Sequence, residues 1–366
     1  MSMQSVLVIG GGAAGHQVAY QLRDVARVTL VDPKTYWEVP MAVPRLLVEP
    51  DGLAARIPYR AFLGAARHLQ GKVVAIDANS AQVAAANGST QRVGFDYAVI
   101  ATGSAYLDPL IKTQAPTEPE RAAELQAMHQ RLRTARSIVI VGGGPVGIET
   151  AAEIRETLPS ARVTVVHGGA TILDAAPGKF PDWAEKDLRG KGVELIVGDL
   201  VVSPAIGEQP TDGKVLTRDG RTIAADAIVW AAGAKPVTAF LADSWPDAVQ
   251  ADGLVKVDQY LQVAGRKNVF AAGDITNLPE NRLAIIGGLH AKSIAANIRA
   301  LIAGKPLKPY KPAPPGKGMG KIMVVTLGRN DGLTSLPFGQ FRAGFFARKI
   351  KARDMLVGMS RKAVGL

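Results

Sequence analysis

The fold is decided by Ser5-Val6-Leu7-Val8-Ile9-Gly10-Gly11-Gly12-Ala13-Ala14-Gly15 and its second copy, Ser137-Ile138-Val139-Ile140-Val141-Gly142-Gly143-Gly144-Pro145-Val146-Gly147, about 130 residues further on. Each copy is a short β-branched run, then G-x-G-x-x-G, then a helical pattern. In such a loop the first glycine (Gly10, Gly142) makes the tight turn off the strand. The second (Gly12, Gly144) lets the backbone approach a pyrophosphate. The third (Gly15, Gly147) lets helix and strand pack closely, and the helix N-terminus faces the anion. One such motif is weak. Two in sequence, each after a strand and before a helix, predict two dinucleotide sites and a transfer from one nucleotide to the other.

The first copy is complete. Its second strand, Val28-Thr29-Leu30-Val31, ends at Asp32, 22 residues after Gly10. An acid there can hold both hydroxyls of an adenosine ribose; the plainer reading is a turn residue before Pro33. The second copy departs from the pattern. Arg162-Val163-Thr164-Val165-Val166 ends at His167, where an acid is expected. A carboxylate would repel a 2′-phosphate, so its absence predicts that NADH and NADPH are both accepted, unless His167 is only a strand-end residue.

Three further runs are buried-type strands ending in small-residue turns: Phe95–Ile100 into Ala101-Thr102-Gly103, Asp226–Trp230 into Ala231-Ala232-Gly233, and Asn268–Ala272 into Gly273-Asp274. Turns of this kind lie at the ligand edge of an α/β sheet. With them the chain resembles the two-dinucleotide flavoproteins, FAD-dependent and NAD(P)H-linked, over about residues 5–300. The resemblance implies that Thr102 and Gly103 pass near the flavin nucleotide and that Gly273-Asp274 presents a carboxylate to the ribityl chain.

A narrower resemblance rests on Gly142–Glu149 continuing as Ala151-Ala152-Glu153-Ile154, on Gly288-Leu289-His290-Ala291, on Leu327-Gly328-Arg329-Asn330-Asp331-Gly332 and on Lys351-Ala352-Arg353-Asp354. Together these are similar to the ferroptosis suppressor family of apoptosis-inducing-factor-like flavoproteins, and more distantly to type II NADH dehydrogenases. That likeness implies a quinone reductase, in which hydride passes from NAD(P)H to flavin N5 and two electrons then go to a hydrophobic quinone. By it Glu149 and Lys351 are the candidate catalytic residues. Gly10, Gly12, Ala14, Gly15, Asp32, Arg45, Val74, Thr102, Gly103, Gly273, Asp274, His290 and Ala291 are the candidate FAD set. Gly142, Gly144, Pro145, Val146, Gly147, Glu149, His167 and Gly233 are the candidate NAD(P) set, and no metal is expected. Several of these have a plainer reading. Glu149 falls where a helix dipole favours an acid. Lys351 fits a solvated basic helix, His290 fits capping or packing, and Arg45 fits a surface position as well as one over the FAD pyrophosphate.

The chain has 366 residues, 47% hydrophobic, with 39 glycines and no cysteine, enough for two or three domains. Without cysteine there is no dithiol relay, no cysteine-linked sulfide chemistry and no iron–sulfur cluster of the usual kind, so electrons must pass directly to an acceptor. The first strand begins near Ser5, leaving no room for a signal peptide. No apolar run has the length of a membrane span, and Met1-Ser2 lacks the glycine for myristoylation. A cytoplasmic protein is expected, with a peripheral place at the inner face of a membrane as the variant. The net charge is +11. From Lys317 onward ten basic residues face two acids, and four of the nine phenylalanines lie there, Phe338, Phe341, Phe345 and Phe346.

The expected architecture is α/β: two Rossmann-like dinucleotide-binding domains, for FAD and NAD(P), with a small C-terminal α+β module. Residues 1–107 form the first part of the FAD domain and 108–234 the NAD(P) domain, after a linker from Asp108 to Pro119 and a helix over about Glu120–Ala135. Residues 235–304 return to the FAD domain and end in a helix over about Leu289–Ile302. Its N-terminus, at His290 and Ala291, is expected to face the flavin. Residues 305–316 are a proline-rich linker and 317–366 the basic, aromatic module. There the stretch from Phe341 to Lys351 reads as a helix with Phe341, Phe345, Phe346 and Ile350 on one side, flanked by Arg342, Lys349 and Arg353. Such a surface suits an anionic lipid face or a quinone pocket; nucleic acid is disfavoured and a homodimer is left open. The alternatives to quinone reduction are transfer to a small ferredoxin-like protein, to which a basic surface is also suited, and a signalling or scaffold role with slow redox turnover.

Overall fold

A computed structural model describes residues 3–106, 108–342 and 344–366; Met1, Ser2, Leu107 and Ala343 lie outside the described residues. Strand β1 (Ser5–Ile9) runs into helix α1 (Gly15–Leu22), then β2 (Arg27–Asp32), β3 (Arg67–Gln70) and β4 (Tyr97–Ile100). After helix α2 (Glu118–Thr134), a second unit repeats the scheme with β5 (Ser137–Val141), α3 (Pro145–Thr157), β6 (Arg162–His167), β7 (Val193–Val197) and β8 (Ala227–Trp230). The chain then returns to the first sheet with β9 (Val269–Ala271) and helix α4 (Ala284–Ile302). The sheet orders are β9-β4-β1-β2-β3 and β7-β6-β5-β8, all parallel. Strands covered by helices need apolar residues on both faces, which is why every residue of β5 is buried.

The two fingerprint loops have one geometry. Gly10 and Gly142 take φ of +94° and +118°, and a side chain on either would strike the carbonyl oxygen of Ala101 or Ala231. A β-carbon on Gly15 or Gly147 would come within 2 Å of the carbonyl of Gly10 or Gly142, so helix and strand touch there.

Helix α2 begins two residues before the expected start. Thr117 and Glu120 form a reciprocal capping box and Pro119 sits in the first turn, a combination that sets a helix start on its own. Helix α4 begins at Ala284, five residues before Leu289. Its glycines did not delay it; a β-carbon on Gly287 would make only ordinary contact with Ala13 and Ala14. His290 is therefore a buried residue within the helix, and the N-terminus lies at Leu283 and Ala284.

The C-terminal module is a three-stranded antiparallel sheet, β10 (Met323–Thr326), β11 (Gly332–Leu336) and β12 (Gly339–Phe341), followed by short helical turns. The expected helix from Phe341 is thus overturned at its start: Phe341 pairs with Thr334 in the ladder, and helix begins only at Gly344. The stretch then widens into a π-helical turn, Arg348–Ala352. The proline-rich segment before the module is pinned. Asn297 exchanges two hydrogen bonds with Lys308, and the Glu280 carboxylate accepts from the Tyr310 hydroxyl and the Ala313 amide.

Three parts of the chain meet on one face of α3. Arg45 donates to Glu153 through two nitrogens, at 2.7 and 3.1 Å, and through Nη1 to the carbonyls of Ala352 and Arg353. Both side chains are buried. Arg45 is thus neither a surface residue nor free for a pyrophosphate, because its donors are committed to this junction. Removing one partner of a buried pair strands the other charge. Glu153→Ala should therefore cost about 3–5 kcal/mol, whereas Arg45→Met with Glu153→Leu should recover only part of it, because the carbonyls of Ala352 and Arg353 lose their donor. Thermal and urea denaturation of the three proteins checks this; equal stabilities would mean the pair does not hold the junction.

Candidate functional site

The two loops carry the features of a nucleotide cradle. At Gly12 and at Gly144 an added β-carbon would meet no protein atom within 4 Å, so the backbone there faces open space in front of a helix N-terminus. Asp32, at the end of β2, accepts from the amides of Gly11 at 2.6 Å and Lys34 at 2.8 Å. These bonds fix the carboxylate beside the loop. Tyr59, fully buried, closes the other side by donating to the Gly11 carbonyl; its hydroxyl is held well above its ordinary pKa by burial and then by Asp32. Under the loop, His16 is buried and stacks on Trp37 at 3.8 Å. Burial lowers its pKa to about 4, only partly offset by the bond to the Gly12 carbonyl, so the ring is neutral. The residues around the first loop fit an adenosine diphosphate group: a Gly-lined anion cradle, a helix N-terminus and an acid at ribose distance in sequence.

Next to this cradle lie Gly103, at φ +65° with open space around it, and Gly273, at φ +77° against Ala14. Thr102 donates its hydroxyl to the Val237 carbonyl. The Asp274 carboxylate is held by the Ser104 hydroxyl at 2.7 Å and by Lys112 at 3.1 Å. Burial alone would raise its pKa, but the Lys112 charge and the Ser104 bond outweigh that and lower it. Asp274 is therefore ionised, and its Oδ1 stands outside these two bonds. Nothing in the sequence spacing points to Lys112, which lies in the stretch read as a linker. His290 accepts from the Gly273 amide through Nδ1 and meets Glu280 through Nε2 at 2.8 Å. It orients the Gly273 turn from behind. Ala291 is buried in α4, whereas Val74 is half exposed on the strand Lys72–Ile76.

In the second unit, Pro145 and Val146 open α3, and Gly233 takes φ +80° at the end of the strand beside the loop. His167 ends β6 with its ring against Gly143, where an added β-carbon would lie 2.8 Å from its Cγ. Its Nε2 is buried and lies 3.7 Å from the Asp174 carboxylate. The spacing did not single out Asp174. Glu149 falls one turn beyond the helix start at Pro145. A dipole acts mainly within the first turn, so it explains this acid less well than the sequence suggested. The Glu149 carboxylate is buried and accepts from the Thr326 amide and hydroxyl and from Lys351 Nζ, the last at 2.5 Å. The two candidate catalytic residues, 202 positions apart, thus form one ion pair. Lys351 is buried, which excludes the solvated reading of its charge run.

Comparison with known proteins agrees with this construction. Residues 4–290 match the family described as pyridine nucleotide-disulphide oxidoreductase. The chain is 31% identical over 378 residues to apoptosis-inducing factor homolog B of Dictyostelium discoideum, covering 96% of this chain and 94% of that protein. It is 30% identical over 369 residues to ferroptosis suppressor protein 1 of Xenopus tropicalis, covering 98% and 96%. Among solved structures, NDH2 of Plasmodium falciparum superposes with a TM-score of 0.76 at 13% identity, over 95% of this chain and 93% of that one. The sulfide:quinone oxidoreductase of Aquifex aeolicus superposes with a TM-score of 0.75 at 19% identity, over 98% and 92%. These structural likenesses establish a shared fold. With the double cradle, the ionised Asp274 and the family match, the chain belongs to the pyridine nucleotide-disulphide oxidoreductase family and is an FAD-dependent NAD(P)H oxidoreductase similar to the ferroptosis suppressor and apoptosis-inducing-factor-like flavoproteins.

Proposed function

We propose that this oxidoreductase reduces quinones, and that Glu149 and Lys351 serve the acceptor half of the reaction. The observation that carries the reading is the buried Lys351–Glu149 pair. A quinone takes up two protons with its two electrons. An iron–sulfur protein takes up none, and a buried ammonium would do nothing for it. Lys351 Nζ carries donor hydrogens inside the protein, and its bond to the Glu149 carboxylate aims them. FAD, when bound, would supply the two-electron redox chemistry. The absence of cysteine from the sequence leaves no dithiol to receive them, unlike the step for which the family is named.

The chain's own residues bind and orient. Gly10, Gly12, Gly15 and Asp32 would hold the adenosine diphosphate part of FAD, and Asp274 a hydroxyl of its ribityl chain. Gly142, Gly144 and Gly147 would hold the second nucleotide, with His167 at its ribose. A hydrophobic quinone resides in lipid, so the protein would work at a membrane surface. No helix among the described residues is long and apolar enough to cross a membrane, so that place would be peripheral.

Three outcomes follow. Asp274→Ala should weaken FAD retention roughly 2- to 10-fold, the worth of one hydrogen bond, measured by equilibrium dialysis; unchanged retention would remove Asp274 from the site. Stopped-flow mixing should show both NADH and NADPH reducing the flavin, and His167→Glu should slow NADPH by about tenfold or more, as one carboxylate near a 2′-phosphate costs at least about 1.4 kcal/mol. A wild type already selective for NADH would refute the argument from the missing acid. Lys351→Met should leave flavin reduction by NADH intact and lower quinone-dependent turnover about 100-fold. A steady-state screen of quinones, ferredoxins and oxygen with both proteins checks this, and turnover with ferredoxin alone would overturn the quinone assignment.

A further inference from the structure

Behind the turn that carries Asp274, a buried carboxylate and a histidine join two distant parts of the chain. The side chains of His290 and Glu280 are 1% and 3% exposed. The Gly273 amide donates to His290 Nδ1 at 3.0 Å. A backbone amide can only donate, so the ring carries its hydrogen on Nε2. That hydrogen is aimed at Glu280 Oε2, 2.8 Å away. The other carboxylate oxygen is used as well. Oε1 accepts from the Tyr310 hydroxyl at 2.8 Å and from the Ala313 amide at 2.5 Å, and the Tyr310 ring meets the His290 ring edge-on at 4.9 Å. Burial alone would raise the Glu280 pKa, but the bonds from His290, Ala313 and Tyr310 outweigh it and lower it. Glu280 is thus an acceptor at both oxygens, toward the Gly273 turn on one side and the proline-rich connector on the other. The front of the same turn borders a cavity lined by Gly273, Asp274, Leu283, Ile286 and Gly287, at the N-terminus of α4. A ring that merely filled space would leave either nitrogen free to take the hydrogen; here both are assigned.

We propose that Glu280 is a positioning residue for the flavin. Through Oε2 it keeps His290 in the Nε2–H form, so that Nδ1 holds the Gly273 amide and the turn presents Asp274 to the cofactor. This rests on the reading that puts the FAD ribityl chain at Asp274. The charge state of the group matters here, beyond its size. A glutamine has one accepting oxygen and one donating nitrogen in place of two acceptors. The Ala313 amide cannot reverse, so the glutamine oxygen goes to it and the NH2 group faces His290. The ring must then carry its hydrogen on Nδ1, against the Gly273 amide. A buried donor set against a donor loses its bond and its water together, and the mismatch falls on the turn.

The test uses the full chain with FAD bound. Heteronuclear NMR of the five histidines, with His290 assigned by His290→Ala, should show His290 in the Nε2–H form in wild type and in the Nδ1–H form in Glu280→Gln. FAD release, followed by the fluorescence of free flavin, should be about tenfold faster or more in Glu280→Gln. Because Glu280 acts through the ring, Glu280→Gln added to His290→Ala should release FAD no faster than His290→Ala alone. Tyr310→Phe keeps the carboxylate and the Ala313 bond, and should keep the wild-type tautomer and rate of release. The proposal is overturned if wild-type His290 carries hydrogen on Nδ1, a result that needs no variant to fold. It is overturned if Glu280→Gln keeps the wild-type tautomer or the wild-type release, or if Tyr310→Phe releases FAD as fast as Glu280→Gln. It is also overturned if Glu280→Gln speeds release equally in the His290→Ala background, as a purely structural role through the connector would. Asp274→Ala tests the underlying reading apart: wild-type FAD retention there would take the ribityl chain away from this turn and end the flavin role, while the histidine spectra would still show whether Glu280 sets the ring.

Discussion

Three carboxylates on helix α3 hold the arrangement on which the rest depends. Glu149, Glu153 and Glu156 fall at i, i+4 and i+7, on one face. Glu149 and Glu153 are buried and Glu156 is exposed. Burying a carboxylate is expensive unless partners replace its water, and the partners of all three come from other parts of the chain. Arg45 reaches Glu153 from the first unit; Thr326 and Lys351 reach Glu149, and the Arg329 amide reaches Glu156, from the C-terminal module. Arg329 continues to Glu49 of the first unit. The helix that begins at the second cradle is thereby fixed against both neighbours. A reaction that needs two nucleotides face to face requires their loops to hold a constant separation, and this ionic junction is what restrains the second loop.

The parts that were legible in sequence are those where backbone geometry dictates residue type. A φ near +100° at Gly10 and Gly142, and no room for a β-carbon at Gly15 and Gly147, demand glycine, so these four announce themselves, and the buried strands before them read as unbroken apolar runs. The capping box at Thr117 and Glu120 was equally available and would have placed the start of α2. What could not be read are pairings across long separations. Lys112 meets Asp274 across 162 residues and Arg45 meets Glu153 across 108. Neither basic residue sits in a motif, and a lone Lys or Arg in a loop has the statistics of a surface residue. Glu153 offered a partial signal, since a second acid one turn after Glu149 within an otherwise buried helix needs an internal partner. The pattern from Phe341 to Lys351 misled for a different reason. Helical spacing of phenylalanines is real from Gly344 onward, but Phe341 is claimed by the ladder with Thr334, and a tertiary pairing overrides a short local period.

The behaviour of the C-terminal segment follows from that junction. At about 100° per residue, Lys351 falls on the side of the helical stretch opposite Phe345 and Phe346, so the rings face solvent while Lys351 turns inward. The π-helical turn at Arg348–Ala352 changes the phase by adding a residue to the turn, a device found often at functional sites. Beyond it, Met355 and Leu356 take φ of +53° and +65°, a conformation that costs a non-glycine residue about 1–3 kcal/mol. Such strain persists only where surrounding contacts over-determine the backbone. Those contacts are present: Arg45 grips the carbonyls of Ala352 and Arg353, Asp354 accepts from the amides of Leu356 and Gly358, and Met355 is fully buried. Arg45 therefore has two jobs that share one guanidinium. It neutralises Glu153, and it holds the strained turn that aims Lys351 at Glu149, so the ionic junction and the geometry of the site stand or fall together.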